Sequence, residues 1–243
     1  MSTIIDMKKL LLHIVLSILI GLTVIFGYAI LQGKKEYEVQ IRNKSLSEVI
    51  EEHTSKEDYV LYEDISQNYV NALVAVEDQR FFTRSGFDWI AFIRATINNT
   101  IAGEHIEGGS TISQQIGKNL YYVGKYRGYK EKIAEVFMML DLEKQYSKEE
   151  LLALYANIVY YGDGYYGIKA ASEGYLHTEP SQLTIAQAAL LAGLPNAPSA
   201  YQLSTAYDLA INRQQKVLSR MLEEKYITEE EYKDALNEII PKP

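Results

Sequence analysis

Hydrophobic and polar positions divide the chain into an unbroken apolar run, a mixed polar stretch and a long region of helical periodicity. From Leu10 to Leu31 the sequence LLLHIVLSILIGLTVIFGYAIL contains no Asp, Glu, Lys or Arg, and His13 is its one ionisable side chain. A helix of about 22 residues rises about 33 Å, enough to cross a hydrocarbon core of roughly 30 Å. A cleaved leader has a shorter apolar stretch and a small-residue cleavage site, and Gly27-Tyr28-Ala29 is a poor one. The run predicts an uncleaved transmembrane anchor over 10–32, preceded by a short N-terminus, 1–9. Lys8 and Lys9 nearly balance Lys34 and Lys35 across the span, so charge does not set its orientation.

Residues 33–70 are polar and mixed in charge and read as a stalk, with Ser55-Lys56-Glu57-Asp58 either opening a short helix or lying in a solvated linker. From Tyr69 onward helical signals dominate, which sets the predicted domain at 71–243. Ser147-Lys148-Glu149-Glu150 has the spacing of a capping box and precedes the apolar run LLALYANIVY. Thr184-Ile185-Ala186-Gln187 repeats that pattern, with Gly193 as a stop before Leu194-Pro195. Thr228 to Glu231 opens a last amphipathic helix, and Glu131–Lys144 fits another with Ile133, Val136, Phe137 and Leu140 on one side. Period-2 alternation is nearly absent, and the three glycines of GDGYYG (162–167) mark a loop. The fold class predicted is mostly α.

Composition narrows the function. A net charge of −8 argues against a nucleic-acid protein, which usually carries a basic face, and no cysteine is present to form a disulfide or a thiolate metal site. Against that acidic background the segment from Lys118 to Lys132 holds five cations (Lys118, Lys125, Arg127, Lys130, Lys132) beside Glu131. Such a patch suits an anionic substrate or lipid headgroups, and equally a plain solvated face.

Two further segments concentrate chemistry. In AVEDQRFFTRSG (75–86), Glu77 and Asp78 follow an apolar run, so a carboxyl there can sit in a partly dry cleft with a raised pKa, as a general base requires. An acidic pair favoured by a helix dipole explains the same residues. In GGSTISQQIGKN (108–119), two glycines precede Ser110 and Thr111, and amides at a helix start with a Lys beyond them can hold phosphate or sugar hydroxyls. An ordinary loop and cap would look alike. The 20 tyrosines, many of them between 121 and 166, suit a wet-edged core as well as sugar or membrane contacts.

Taken in order, EDQRFFTRSG, GGSTISQQIGKN, EKIAE, YANIVYYGDGYYGIKAASEGYL, LLAGLPNAPSAY and RQQKVLSRM resemble the glycosyltransferase domain of class A penicillin-binding proteins and of monofunctional peptidoglycan glycosyltransferases, from near Asn71 to about Ala235. The resemblance implies a lysozyme-like helical domain with a membrane-associated lobe near residues 90–125. It implies Glu77 as general base and Glu135 as a second essential Glu. Asp78, Phe81, Arg84, Gly109, Ser110, Thr111, Gln114, Gln115, Lys118, Asn119, Arg127 and Lys132 would bind substrate. The reaction implied is polymerisation of lipid II onto a growing glycan chain, with undecaprenyl pyrophosphate leaving. A divalent cation (Mg or Mn) at Glu135 would be the only cofactor, with no organic one. The cytoplasmic membrane and penicillin-binding transpeptidases would be partners, nucleic acid would not, and the catalytic domain would face outward from a single-pass anchor.

Four residues depart from the family pattern: Arg84 stands for a His, Glu131 for an Arg, Gln187 for a Glu and Ala156 for a Leu. No Ser-x-x-Lys domain follows the motifs, so a monofunctional polymerase is expected. A lytic transglycosylase shares the cleft Glu but needs neither GGSTISQQIGKN nor the cationic cluster, since hydrolysis protonates a sugar oxygen. A catalytically silent lipid II-binding scaffold draws its support from Arg84 and Glu131 alone.

Overall fold

The computed structural model describes residues 2–84, 86, 110–125 and 127–242. Among these the chain forms ten α-helices and no strand, apart from a single bridge between Tyr160 and Tyr166. The mostly α fold class holds. The expected membrane-associated lobe near 90–125 falls largely outside the described residues, as does Gly109.

Helix α1 runs unbroken from Ser2 to Asn43. Its apolar part lies fully out of the domain, with Leu10 and Leu31 both more than 60% exposed. The stretch from Leu10 is long and apolar enough to cross a membrane, with a mean hydropathy of 2.6 in its most apolar window and none of that window buried. An apolar helix surface with no protein against it is stable only in lipid.

The expected stalk, 33–70, is structured instead. Helix α1 continues through it to Asn43, α2 (Leu46–Thr54) follows with a Ser45/Glu48 capping box, and Leu46, Val49, Ile50, Val60 and Ile65 join the hydrophobic core. The apolar positions here are few and spaced by charge, so their share in the core is not visible as a run.

The core centres on α3 (Gln67–Glu77), α6 (Lys148–Ile158) and α8 (Ile185–Gly193), each buried on nearly all sides. The longer α9 (Leu203–Glu223) covers α3 and α8. Helices α4 (Ile112–Tyr121) and α5 (Tyr129–Gln145) pack on each other, and α4 also packs on α6. Helices α7 (Ile168–Leu176) and α10 (Glu229–Asn237) complete the domain. The capping boxes at Ser147, Thr184 and Thr228 form as their spacing predicts. The GDGYYG segment is a loop, with Gly162, Gly164 and Gly167 all at positive φ. Only glycine takes that conformation without strain.

Helix α5 departs from its predicted face. Its core side is Ala134, Met138, Met139 and Leu142, and Leu140 is exposed. Ile133 and Phe137 instead meet α1, where Phe137 stacks on Tyr37 at 5.9 Å and Ile133 lies directly over Gly33. Two neighbours on opposite sides give α5 two apolar stripes, and the periodicity reveals only one of them.

Candidate active site

The C-terminal turn of α3 places Glu77 against α4 and α9, with α6 behind. Tyr69, Val70 and Ala72 to Ala75 are locked in the core, so the carboxyl is fixed by its backbone. Gln115 Nε2, one helical turn into α4, donates to Glu77 Oε2 at 2.6 Å. Arg213 on α9 stands 3.7 Å from Oε1. The Glu77 side chain is 11% exposed, and burial holds its carboxyl above the ordinary value. The Gln115 bond, Arg213 and Lys118 pull it down, and Asp78 adds to the rise. The result is a carboxyl that accepts a proton more readily than a surface Glu.

Behind Gln115, the wholly buried Tyr155 of α6 donates its hydroxyl to Gln115 Oε1 at 3.3 Å. Deeper still, the Tyr69 and Tyr161 hydroxyls meet at 2.6 Å.

The second carboxylate, Glu135 of α5, is 1% exposed. Arg127 Nη1 donates to its Oε1 at 2.9 Å and Lys132 Nζ to its Oε2 at 2.7 Å. Lys132 also donates to Ser110 Oγ at 2.7 Å. Lys118, one turn after Gln115, feels both carboxylates and both of these cations. Burial lowers its pKa, Arg127 and Lys132 lower it further, and Glu135 and Glu77 oppose them. Lys118 therefore links the Glu77 side of the cleft to the Glu135 side.

Glu135 is the residue expected to hold a divalent cation. Both carboxylate oxygens already accept from cationic donors, and among the described residues no cluster of three or more His, Cys, Asp or Glu could hold a metal.

The expected substrate-binding residues separate into two groups. Ser110, Gln115, Lys118, Arg127 and Lys132 surround the two glutamates. Asp78, Phe81, Arg84, Thr111 and Gln114 are buried beside them and pair with other protein groups. Thr111 and Gln114 form the capping box that opens α4, at 2.9 and 3.2 Å. Arg84 Nη2 donates to Asp78 Oδ2 at 2.7 Å, and its Nη1 donates to Glu143 Oε1 at 2.7 Å. The side chains of Asp78, Arg84 and Glu143 are each at most 6% exposed. Ser113 Oγ and Lys148 Nζ complete the ring about Glu143 at 2.6 and 3.0 Å, with Lys148 over the Phe81 ring. Asn119 Nδ2 bonds back to the Gln115 carbonyl at 2.8 Å.

Glu131 has a structural task at the edge of the cationic patch: its carboxylate accepts from the Gly128 amide at 2.7 Å and caps α5.

Sequence reasoning omitted Tyr155, Arg213 and Glu143 from the site. Arg213 lies inside the RQQKVLSRM string, so a signal existed. Tyr155 likewise opens the YANIVYYGDGYYGIKAASEGYL string, whereas Glu143 lies in a mixed helix surface and does not stand out.

With this geometry in place, comparison with known proteins is informative. The family model described as transglycosylase matches residues 42–222. A monofunctional glycosyltransferase of Staphylococcus haemolyticus is 35% identical over 222 residues, which is 88% of this chain and 80% of that protein. One from Staphylococcus epidermidis is 35% identical over 192 residues, covering 76% and 71%. Penicillin-binding protein 1A of Aquifex aeolicus is 41% identical over 179 residues, 74% of this chain and 24% of that protein. The chain thus spans about a quarter of that longer relative. Among solved structures, penicillin-binding protein 1A from Haemophilus influenzae covers 76% of this chain and 18% of its own, at 26% identity and a TM-score of 0.46.

Proposed function

This chain belongs to the transglycosylase family, and from that premise we propose that it polymerises lipid II into glycan strands on the outer face of the cytoplasmic membrane. The observation that carries the reading is a buried Glu77, held by Gln115 and Arg213, with Lys118 near both it and the Arg127–Glu135–Lys132 cluster.

Glu77 takes the proton of the acceptor's 4-hydroxyl as that oxygen bonds to the donor's anomeric carbon. An alcohol is a poor nucleophile at neutral pH, so a base with a raised pKa close by is the feature required. The bond from the anomeric carbon to the pyrophosphate oxygen breaks, and undecaprenyl pyrophosphate leaves with the electron pair. This leaving group needs its charge balanced rather than a proton. Lys118, Arg127 and Lys132 supply that charge in a partly dry site, where it acts more strongly than in water. Glu135 keeps two of these cations in place. The neutralising charge in this scheme is the chain's own, and no step runs through a metal ion.

The α1 anchor holds the cleft at the bilayer, where a lipid-linked substrate resides, and penicillin-binding transpeptidases would cross-link the strands. Arg84 and Glu131, which would have favoured a silent scaffold, have structural roles that leave Glu77 and Lys118 in place. Polymerisation of labelled lipid II by detergent-purified protein tests the reading. Long strands are expected from wild type, and Glu77→Gln is expected to lose roughly 10²–10⁴-fold in rate. Wild-type rates from that variant would remove Glu77 from its role, and lipid II binding without strands would leave the scaffold.

A further inference from the structure

The geometry points to Tyr155 as the positioning residue that keeps the nitrogen end of the Gln115 carboxamide turned toward Glu77. The inference rests on the role proposed above for Glu77 and adds a residue that never reaches substrate.

A carboxamide has two ends of nearly equal size and opposite hydrogen-bonding character. With nitrogen toward Glu77, Gln115 donates to the carboxylate and favours its ionised, basic form. With oxygen toward Glu77, it would favour the protonated acid, which cannot take a proton from an alcohol. Nothing in the Glu77–Gln115 contact alone excludes the second arrangement, because a protonated carboxyl would donate to the amide oxygen equally well. The choice is made on the far side: the Tyr155 hydroxyl could accept from a reversed amide, but its own buried proton would then lack an acceptor among the described residues. Gln115 Oε1 accepts from the Tyr155 hydroxyl at 3.3 Å while Nε2 donates to Glu77 at 2.6 Å.

Tyr155 is built to act as that donor. Its ring is wholly buried on α6, a helix pinned by the Ser147/Glu150 capping box, and Gln115 Oε1 is the hydroxyl's acceptor among the described residues. Burial, with Glu77 and Tyr69 nearby, holds its phenol proton on far above the ordinary tyrosine range. The other groups facing Glu77 are Asp78 beside it, Tyr69 on its own helix, Lys118 on α4 and Arg213 on α9. None of them fixes which end of the amide points inward.

The test is the acidic limb of the pH–rate profile for lipid II polymerisation, read for wild type, Tyr155→Phe, Gln115→Leu and the double variant. Tyr155→Phe keeps the ring and is expected to move the limb upward by roughly one pH unit, the scale of one hydrogen bond. The double variant should move no further than Gln115→Leu alone, because Tyr155 acts only through that amide. An unmoved limb in Tyr155→Phe, or shifts that add in the double variant, overturns the proposal. NMR titration of a 13C-labelled Glu77 carboxyl reads the same shift without turnover. A protein that makes no glycan yet shows that shift would sink the polymerase reading and keep this one. Should Tyr155→Phe not fold, a fluorinated tyrosine at 155 keeps both ring and hydroxyl. Its more acidic phenol is a stronger donor to Gln115 Oε1 and is expected to move the acidic limb downward, and an unmoved or raised acidic limb again overturns the proposal.

Discussion

Arg84 Nη1 and Glu143 Oε1 meet at 2.7 Å with both side chains 6% exposed, and the same guanidinium holds Asp78 at 2.7 Å on its other edge. One buried cation therefore balances two buried carboxylates, with Lys148 supporting Glu143. Removing one partner from such a group leaves charge in a poor solvent and costs about 3–5 kcal/mol. Arg84→Met should lower the free energy of unfolding by that amount while leaving Glu77, Lys118 and Glu135 in place. An unfolding free energy within about 1 kcal/mol of wild type, on the scale of a surface pair, would show that the ring is not a stabilising unit.

The same ring predicts a pH dependence. Burial alone would raise the Glu143 carboxyl, but the Ser113 bond, Arg84 and Lys148 outweigh it and hold the group below its ordinary value. A carboxyl lowered in the folded state stabilises the fold above its unfolded pKa, near 4.3, and loses that contribution as pH falls through the folded value. Arg84→His should invert the pattern. An imidazole between two carboxylates has its folded pKa raised, so its stabilisation is present below about 6.5 and lost as pH rises through the folded value. Chemical denaturation at pH 5.5 and pH 8 should find Arg84→His more stable, relative to wild type, at the lower pH.

Glu77 carries the opposite sign. Burial raises its pKa, so keeping it ionised at neutral pH destabilises the fold. That cost is absent at low pH and grows as pH rises through the folded value. Glu77→Gln should therefore melt no lower than wild type at pH 7.5, and higher if the cost is appreciable, while losing polymerisation. Arg213→Gln should push the acidic limb of the rate profile upward, because Arg213 favours the ionised carboxylate. A lower melting temperature for Glu77→Gln would mean that the native carboxylate is stabilised by contacts stronger than its desolvation.

Much of this arrangement was legible in the chain before any coordinates, and the parts that were not share a cause. The capping boxes at Ser147, Thr184 and Thr228 depend on residues three apart, so spacing alone reveals them. The partners of Glu77 lie 38 residues away at Gln115 and 136 away at Arg213, a relation that periodicity does not encode. Thr111 and Gln114 carry the pattern of a cap and act as one, although their place in GGSTISQQIGKN suggests substrate contact. Asp78 and Arg84 turn inward because Glu143 waits on α5, and nothing local to either sequence segment announces it. The core role of 46–65 is missed for a simpler reason: five apolar side chains spread over twenty residues bury well only against helices formed much later in the chain.

Close packing of the anchor on the domain gives a prediction for membrane work. A side chain at Gly33 would collide with Ile133 of α5, and one turn on, Tyr37 bonds Asp141 and stacks on Phe137. Further along, Tyr121 donates to the Lys44 carbonyl at 2.9 Å. The Gly33 and Tyr37 contacts tie helix α1 to α5, which carries Glu135, and the Tyr121 bond ties α4 to the residue just after α1. Gly33→Leu should separate α1 from α5, lowering polymerisation of lipid II in vesicles while leaving a short-chain, detergent-soluble substrate turned over at near the wild-type rate. Equal loss on both substrates would mean that the substitution damages the domain itself.

Glu131 decides whether a departure from the family pattern is a weakness or an exchange. Its carboxylate caps α5 at the Gly128 amide, a bond worth about 1 kcal/mol at a helix start, while its negative charge lies among the cations that would meet the pyrophosphate. Glu131→Arg removes the cap and adds two units of positive charge to the patch. Glu131→Gln keeps an acceptor for the amide and removes one negative charge. If charge governs, both variants should lower KM for lipid II, Arg more than Gln, with kcat little changed. If the cap governs, Gln should behave as wild type while Arg melts lower and loses kcat, because α5 also carries Lys132 and Glu135. Measuring KM, kcat and melting temperature for the pair separates the two. The expected outcome is mixed: lower KM in both variants, and a melting temperature reduced in Glu131→Arg alone.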